Sequence, residues 1–106
     1  MRTFNYVALV AGDMSGDVIS KSILLNAIVL VSVQCVWTGS PVGGLKLQAS
    51  NDGITWSDVA GSAVSLNGAG DVLYNLPEIG YLYLRAIYTH TSGAGYLQVV
   101  ANGKGV

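Results

Sequence analysis

The feature that most constrains the fold of this chain is the way glycines divide it into short runs of β-forming residues. Fourteen glycines and two prolines separate segments rich in Val, Ile, Leu, Tyr and Thr. No apolar repeat of helical period is sustained over three turns. Short strands separated by turn residues at regular spacing are typical of β-sandwiches. The sequence therefore predicts an all-β fold.

Nine segments have the composition of strands, and we expect them to form an antiparallel β-sandwich of about eight short strands. The chain of 106 residues suits one domain, and no linker or internal repeat divides it, so a single β-sandwich domain is expected over residues 1–106. The predicted strands are Phe4–Val10, Asp17–Leu25, Ile28–Thr38, Leu45–Ser50, Thr55–Val59, Ala63–Leu66, Val72–Leu76, Tyr81–Thr89 and Tyr96–Ala101.

Alternation of apolar and polar residues predicts which face of each strand is buried. In the strand from Leu45, the side chains of Leu45 and Leu47 should face the core, while Lys46 and Gln48 face outward. Two further core faces are predicted in the same way. They consist of Val29, Val31, Val33, Cys35 and Trp37 in one strand and of Leu82, Leu84, Ala86 and Tyr88 in another.

The surface carries few charges for a protein of this size. Charged residues make up 10% of the chain and hydrophobic residues 51%, whereas soluble domains average about 25% charged residues. Apolar patches left on a soluble protein usually mark contacts with other chains, so we expect a homo-oligomer. The five basic residues are scattered singly, which argues against binding to nucleic acid. The apolar run from Ile23 to Trp37 is too short to span a membrane, and no membrane contact is expected.

The residues needed for catalysis are scarce. Cys35 is the only cysteine, so a thiolate metal cluster cannot be assembled. His90 is the only histidine, and the partners that a triad or a histidine-rich metal site would need are not evident around it. Asp13 and Asp17 do not follow the alternating ligand pattern of a calcium loop, and no phosphate-binding glycine loop is present. We therefore expect no enzymatic activity, no catalytic residues, no metal and no cofactor.

The segment Ser50-Asn51-Asp52-Gly53, followed by Trp56, has the composition of a hairpin turn. Asn, Asp and Gly tolerate left-handed backbone conformations, and Asp can accept hydrogen bonds from nearby backbone amides. Such a turn needs no ligand. The ring of Trp56 is expected to fold back onto the sandwich and stabilise the hairpin.

Two resemblances follow from these motifs. LKLQASNDGITWSDV followed by YLYLRAIYTHTSGAGYLQVVANGKG resembles discoidin-like domains, which carry a similar S-x-D-G-x-x-W hairpin and which imply binding of sugars or lipids. GDMSGD, VWTGSPVGGLKLQASNDGITW and YTHTSGAGYLQVVANGKG are similar to small bacteriophage and prophage structural proteins. The implied architecture is a jelly-roll or discoidin-like sandwich. The phage resemblance implies a virion component made in the bacterial host cytoplasm, either a capsid decoration protein or a head or tail fibre protein.

The resemblance to phage proteins implies self-association, with a trimer as the expected oligomer, and binding to a major capsid or tail protein. A carbohydrate-binding module that recognises a glycan on a host receptor is the alternative. The aromatic residues serve both hypotheses, because aromatic side chains are enriched at protein interfaces and also stack on sugar rings. The candidate interaction surface consists of Trp37, Trp56, Tyr81, Tyr83, Arg85 and Tyr88.

Overall fold

The computed structural model describes residues 3–26, 28–77 and 79–105, with side chains described from residue 12 onward. Within these ranges the chain consists of strands and their connections, which confirms the all-β prediction, and no helix there is long and apolar enough to cross a membrane. The ten strands in these ranges are β1 (Thr3–Asp13), β2 (Val18–Ile19), β3 (Ile23–Leu24), β4 (Ile28–Gly39), β5 (Val42–Ser50), β6 (Ser57–Asp58), β7 (Val64–Asn67), β8 (Gly70–Leu76), β9 (Tyr83–Ser92) and β10 (Gly95–Gly105).

The strands form two antiparallel sheets that pack face to face. Sheet A has the order β1-β10-β4-β8, and sheet B has β9 and β5 at its centre. Strands β2 and β3 both pair with β9 at one edge of sheet B, and β6 and β7 both pair with β5 at the other edge. Sheet B therefore has four strand positions, two of them occupied by a broken strand. Eight positions in two sheets, with the chain passing repeatedly from one sheet to the other, make a jelly roll.

Two of the differences from the predicted strand boundaries bear on the packing of sheet B. The segment Asp17–Leu25 forms two short strands because the chain breaks between Ile19 and Ile23. Strand β5 begins at Val42, so Gly43 and Gly44 belong to a strand and not to the preceding turn. At Gly43 a Cβ atom would overlap the carbonyl oxygen of Thr89 on the adjacent strand. Glycine is therefore present there to allow a close approach of two strands.

The core lies between the sheets and has the predicted alternation. Leu45, Leu47 and Leu84 of sheet B and Val33 of sheet A are at most 1% exposed. Val29 is an exception, since its side chain is 38% exposed. A register shift explains this difference: Lys104 pairs with Leu30 but Gly105 pairs with Ile28. Val29 is thus the extra residue of a β-bulge, and Ile28 takes the inward position.

A buried serine lies at each of the two breaks in the edges of sheet B. Ser20 Oγ accepts a hydrogen bond from the N–H of Ala86 at 2.8 Å, and Ser62 Oγ accepts one from the N–H of Leu47 at 3.1 Å. Ala86 and Leu47 are direct partners across β9 and β5. The two serines therefore bind this pair of residues from its two sides, one at each edge of sheet B. At each break the edge strand is no longer paired, and the serine hydroxyl accepts the hydrogen bond that a backbone carbonyl of that strand would otherwise accept.

Replacing either serine by alanine is expected to lower the free energy of unfolding by about 1–3 kcal/mol, because a buried backbone N–H would lose its acceptor. Ser20 and Ser62 are 6% and 3% exposed, so water cannot easily take their place. Urea unfolding of Ser20→Ala and Ser62→Ala checks this. Ser57→Ala, at an exposed position of β6, is the control and should change stability by less than about 0.5 kcal/mol. Equal effects in all three variants would contradict the explanation.

Candidate functional site

The loop from Ser50 to Thr55 is held in shape by its own side chains. Ser50 Oγ accepts hydrogen bonds from the N–H groups of Asp52 and Gly53 and donates one to Asp52 Oδ1. Asp52 Oδ1 also accepts from the N–H groups of Ile54 and Thr55, both at 2.8 Å. Gly53 has a φ of 76°, a conformation that glycine adopts without strain. The turn therefore forms without a ligand, as the sequence predicts.

The hydrogen bonds within this loop change the titration of Asp52. The N–H groups of Ile54 and Thr55, followed by the Ser50 hydroxyl, lower the pKa of Asp52 from 3.8 to about 2. A lowered pKa means that the folded loop prefers the carboxylate. The stabilisation is therefore present above about pH 4 and is lost as the pH falls toward 2.

Asp52→Ala is expected to accelerate amide hydrogen exchange at Ile54 and Thr55 by about tenfold, because both N–H groups lose their acceptor. Asp52→Asn keeps an oxygen acceptor at the same place and should slow this exchange relative to the alanine variant. It should also remove the dependence on pH between about 4 and 2, since the amide does not titrate. NMR-detected exchange measures all three proteins. Unchanged exchange in Asp52→Ala would show that the carboxylate does not hold the loop.

A connected group of side chains crosses the outer face of sheet B next to this loop; we call it the Arg85 cluster. The Arg85 guanidinium carbon lies 4.0 Å from the centre of the Trp56 ring. Arg85 Nε and Nη2 both donate to Gln48 Oε1, at 3.1 and 2.8 Å. Gln48 Nε2 donates to Asp58 Oδ1, and Lys46 Nζ forms an ion pair with Asp58 Oδ2 at 3.0 Å. Trp56 thus packs back onto the sandwich through a cation–π contact.

The rings of Tyr83 and Tyr81 both lie near the Ser50–Thr55 loop, but they pack in different places. A Cβ atom at Gly53 would be 3.5 Å from the Tyr83 ring, so this ring packs under the tip of the loop. Tyr81 packs against the core and also lines an open cleft. Burial raises the pKa of the Tyr81 hydroxyl. Four of the six predicted surface residues, namely Trp56, Tyr81, Tyr83 and Arg85, are therefore partly exposed and surround the loop.

The other two predicted surface residues lie in the core. Trp37 is 6% exposed, and its Nε1 donates to the carbonyl of Gly68 at 2.8 Å. Tyr88 is fully buried, and its hydroxyl donates to the carbonyl of Val42 at 3.0 Å. The prediction that these two rings belong to an interaction surface is wrong, because both lie in the inward sets of their strands. Each polar group has an internal partner, which allows the ring to be buried.

An open cleft lies beside the loop. Its volume is about 590 Å³, and its lining includes Asn51, Asp52, Thr55, Asp58 and Tyr81. The wall thus combines an aromatic ring with hydroxyl, amide and carboxylate groups. Such a lining can form hydrogen bonds to a polar ligand and stack on its apolar face.

The described residues contain no group of three or more His, Cys, Asp or Glu side chains that could hold a metal ion. His90 lies near the end of β9. Its N–H donates to Asp17 Oδ1 at 2.8 Å, and its ring Nδ1 is 3.1 Å from the carbonyl oxygen of Met14. The histidine therefore fastens the loop that precedes β2 to strand β9.

The sequence predictions missed the partners of Arg85. Gln48, which binds Arg85, and Asp58, which binds Gln48, are distant from Arg85 in the sequence, and the pairing of β5 with β9 and β6 brings them together. Outward positions in strand β5 identify Lys46 and Gln48 as surface residues. The register that places Gln48 opposite Arg85 has no local signal in the sequence.

The fold defines a small jelly-roll protein, and solved structures share it. No protein-family model and no curated protein matches the sequence. The SPBc2 prophage-derived protein YomS is similar, with a TM-score of 0.60 and 10% identity over 96% of both chains. A structure described as Bacillus endospore appendages, a family of disulfide-linked pili, has a TM-score of 0.51 and 8% identity over 97% of this chain and 93% of that chain. At 10% and 8% identity these likenesses show a shared small all-β fold, and they give no support to the discoidin resemblance.

Proposed function

We propose that this chain is a non-enzymatic structural protein of a bacteriophage particle. In this proposal it associates with further copies of itself and attaches to the virion as a capsid decoration protein or as a head or tail accessory protein. It would be made in the host cytoplasm and bind a major capsid or tail protein. The descriptions of the two similar structures, a prophage-derived protein and an appendage, agree with such a role.

The observation that carries the proposal is the exposure of large apolar side chains on both outer faces. Ile19 and Leu24 on sheet B are 58% and 49% exposed, and Leu73 and Tyr96 on sheet A are 64% and 48% exposed. Charged residues make up only 10% of the chain, and the partners of Leu73 and Tyr96 on β4, Gln34 and Thr38, are uncharged. Contact with another protein would remove this apolar area from water.

The absence of enzymatic activity is part of the proposal. Burial raises the pKa of the Cys35 thiol to about 12, so this side chain is a poor nucleophile at neutral pH. The backbone N–H of His90 donates to Asp17, and ring Nδ1 lies within hydrogen-bond distance of the Met14 carbonyl. The proposal therefore assigns no catalytic role to Cys35 or to His90.

Two measurements test the proposal. Sedimentation velocity should detect species heavier than the 11.0 kDa monomer, whose share grows with protein concentration. Phage particles purified by density gradient should contain the protein in stoichiometric copies when analysed by mass spectrometry. A monomer at every concentration, together with absence from purified particles, would remove both parts of the proposal.

The cleft favours one alternative, a carbohydrate-binding module. Tyr81 at its wall could stack on a sugar ring, and Asn51, Asp52 and Asp58 could accept or donate hydrogen bonds to hydroxyl groups. A glycan array tests this alternative, with Tyr81→Ala to remove the stacking ring. Tyr96→Ala, which removes an exposed tyrosine on sheet A, is the matched control. Binding that is lost in both variants or in neither would argue against a site in the cleft.

A further inference from the structure

The outer face of sheet B presents a cation that no carboxylate neutralises within the described residues. Arg85 is half-buried, and it contacts the amide oxygen of Gln48 and the ring of Trp56. The single ion pair among these residues joins Lys46 to Asp58. Lys21 is also exposed, in the connection between β2 and β3. Lys46 is thus paired with Asp58, whereas Arg85 and Lys21 form no ion pair with a carboxylate among the described residues.

The guanidinium is held in a fixed orientation. Nε and Nη2 share one acceptor, and the Trp56 ring covers one face of the group at 4.0 Å. Nη1 and the second hydrogen of Nη2 remain free to donate to a carboxylate. A cation fixed in this way loses little conformational freedom when it binds an anion.

The outer face of sheet A presents the complementary group. Asp71 is exposed on β8, opposite Val36 of β4, and it forms no salt bridge among the described residues. Leu73 and Val36 beside it are 64% and 39% exposed. Among the side chains that the structure describes, the cation on this face is Lys104, which pairs with Leu30. Leu30 lies six residues along β4 from Val36, or about 20 Å, beyond the range of a screened interaction.

Both charged groups lie among exposed apolar side chains, and the two faces point in opposite directions because they are the outer sides of one sandwich. Arg85 has Ile19 and Leu24 on neighbouring strands, and Asp71 has Leu73 and Val36. Pairing sheet B with another sheet B would leave Asp71 without a cation. Pairing sheet A with another sheet A would leave Arg85 without an anion. Only a contact between sheet A of one copy and sheet B of another brings Asp71 and Arg85 together.

We propose that the outer face of sheet A of one copy packs on the outer face of sheet B of the next copy, with Asp71 bound to Arg85. This inference rests on the self-association in the proposed function and names its surfaces. Such a head-to-tail contact leaves a free face at each end, so copies add in an open series. With sheets about 10 Å apart both within and between copies, the repeat along the stack is about 20 Å.

Charge reversal tests the pairing. In Arg85→Glu and in Asp71→Arg, the two groups at the contact have the same sign, and each variant alone is expected to associate about tenfold or more weakly than the unmodified protein. When the two variants are mixed, a contact that joins opposite charges can form again, and association should return. Sedimentation velocity measures each protein and the mixture, and circular dichroism confirms that each variant is folded.

Lys104→Glu is the control, because it changes the net charge as Arg85→Glu does but lies about 20 Å from Asp71 along the sheet. It should leave association intact. Arg85→Gln removes the charge while keeping a polar side chain. It should also weaken association, and it takes the place of Arg85→Glu if that variant proves unstable. Equal weakening by Lys104→Glu, or a mixture that fails to associate, would overturn the pairing.

The outcomes distinguish the stacking of unlike faces from the self-association on which it rests. If the unmodified protein is a monomer at all concentrations, self-association itself fails. If it associates and both charge reversals associate equally well, self-association stands and the stacking of unlike faces is wrong. A closed trimer that persists in both variants would equally overturn the stacking.

Discussion

Replacing Trp37 by alanine is expected to lower the free energy of unfolding by about 3–5 kcal/mol. The indole is 6% exposed, and it packs beside Gly70, where an added Cβ would lie 3.1 Å from the ring. Its Nε1 also holds the carbonyl of Gly68 in the turn before β8. Removing the ring would leave a cavity between the sheets and free this turn. Because domains of this size are stable by about 5–15 kcal/mol, urea unfolding will measure the loss directly.

Trp56→Ala is the matched control, since it makes the same substitution at the other tryptophan. Trp56 is partly exposed and its main contact is the guanidinium of Arg85. The cation–π contact contributes about 0.5–1 kcal/mol at such a site. We therefore expect a loss of stability well below that of Trp37→Ala. Similar losses in the two variants would contradict the different burial of the two rings.

The burial of Trp37 could be predicted from the sequence, because it continues the inward alternation of Val31, Val33 and Cys35. Its aromatic character favours an interaction surface instead, and the two indications conflict. The alternation is the better guide, since position in a strand decides which way a side chain points. The same reasoning places Tyr88 inside with Leu84 and Ala86.

The irregular positions of the sheets could not be predicted in this way. Val29 breaks the alternation because a bulge adds one residue to β4, and nothing in the local sequence marks it. Ser20 and Ser62 interrupt the edge strands of sheet B, and their hydroxyls replace backbone acceptors. A serine in a β-forming run is common, so its role becomes visible only when the neighbouring strand is known.

The contacts of the Arg85 cluster could not be predicted from the local sequence either. The sequence identifies Trp56 and Arg85 separately, but 29 positions separate residue 56 from residue 85. Their contact depends on the pairing of β5 with β9 and on the shape of the Ser50–Thr55 loop. Strand register over long separations is set by the whole fold. The composition of the surface can be predicted, while the grouping of its residues requires the structure.

Alkaline pH is expected to destabilise this protein through Cys35. Burial raises the pKa of the thiol from 9.0 to about 12, so the folded state holds the proton more tightly than the unfolded state does. The stabilisation is therefore fully present below about pH 9 and is lost as the pH rises toward 12. The difference between 9.0 and about 12 corresponds to at most about 4 kcal/mol. Tyr74 adds to this loss, because burial and then the charge of Cys35 raise its pKa to about 12.

Urea unfolding of the unmodified protein and of Cys35→Ala, measured from about pH 7 to about pH 11, separates the contribution of the thiol. The alanine variant should be less stable at neutral pH, because it leaves a small cavity at a fully buried position. Its stability should then fall less steeply above about pH 9, since the thiol no longer titrates in the core. The thiol of the folded protein should also react with alkylating reagents only when the core opens, because the thiolate is the reactive form. Parallel stability curves for the two proteins would show that Cys35 ionises without opposing the fold.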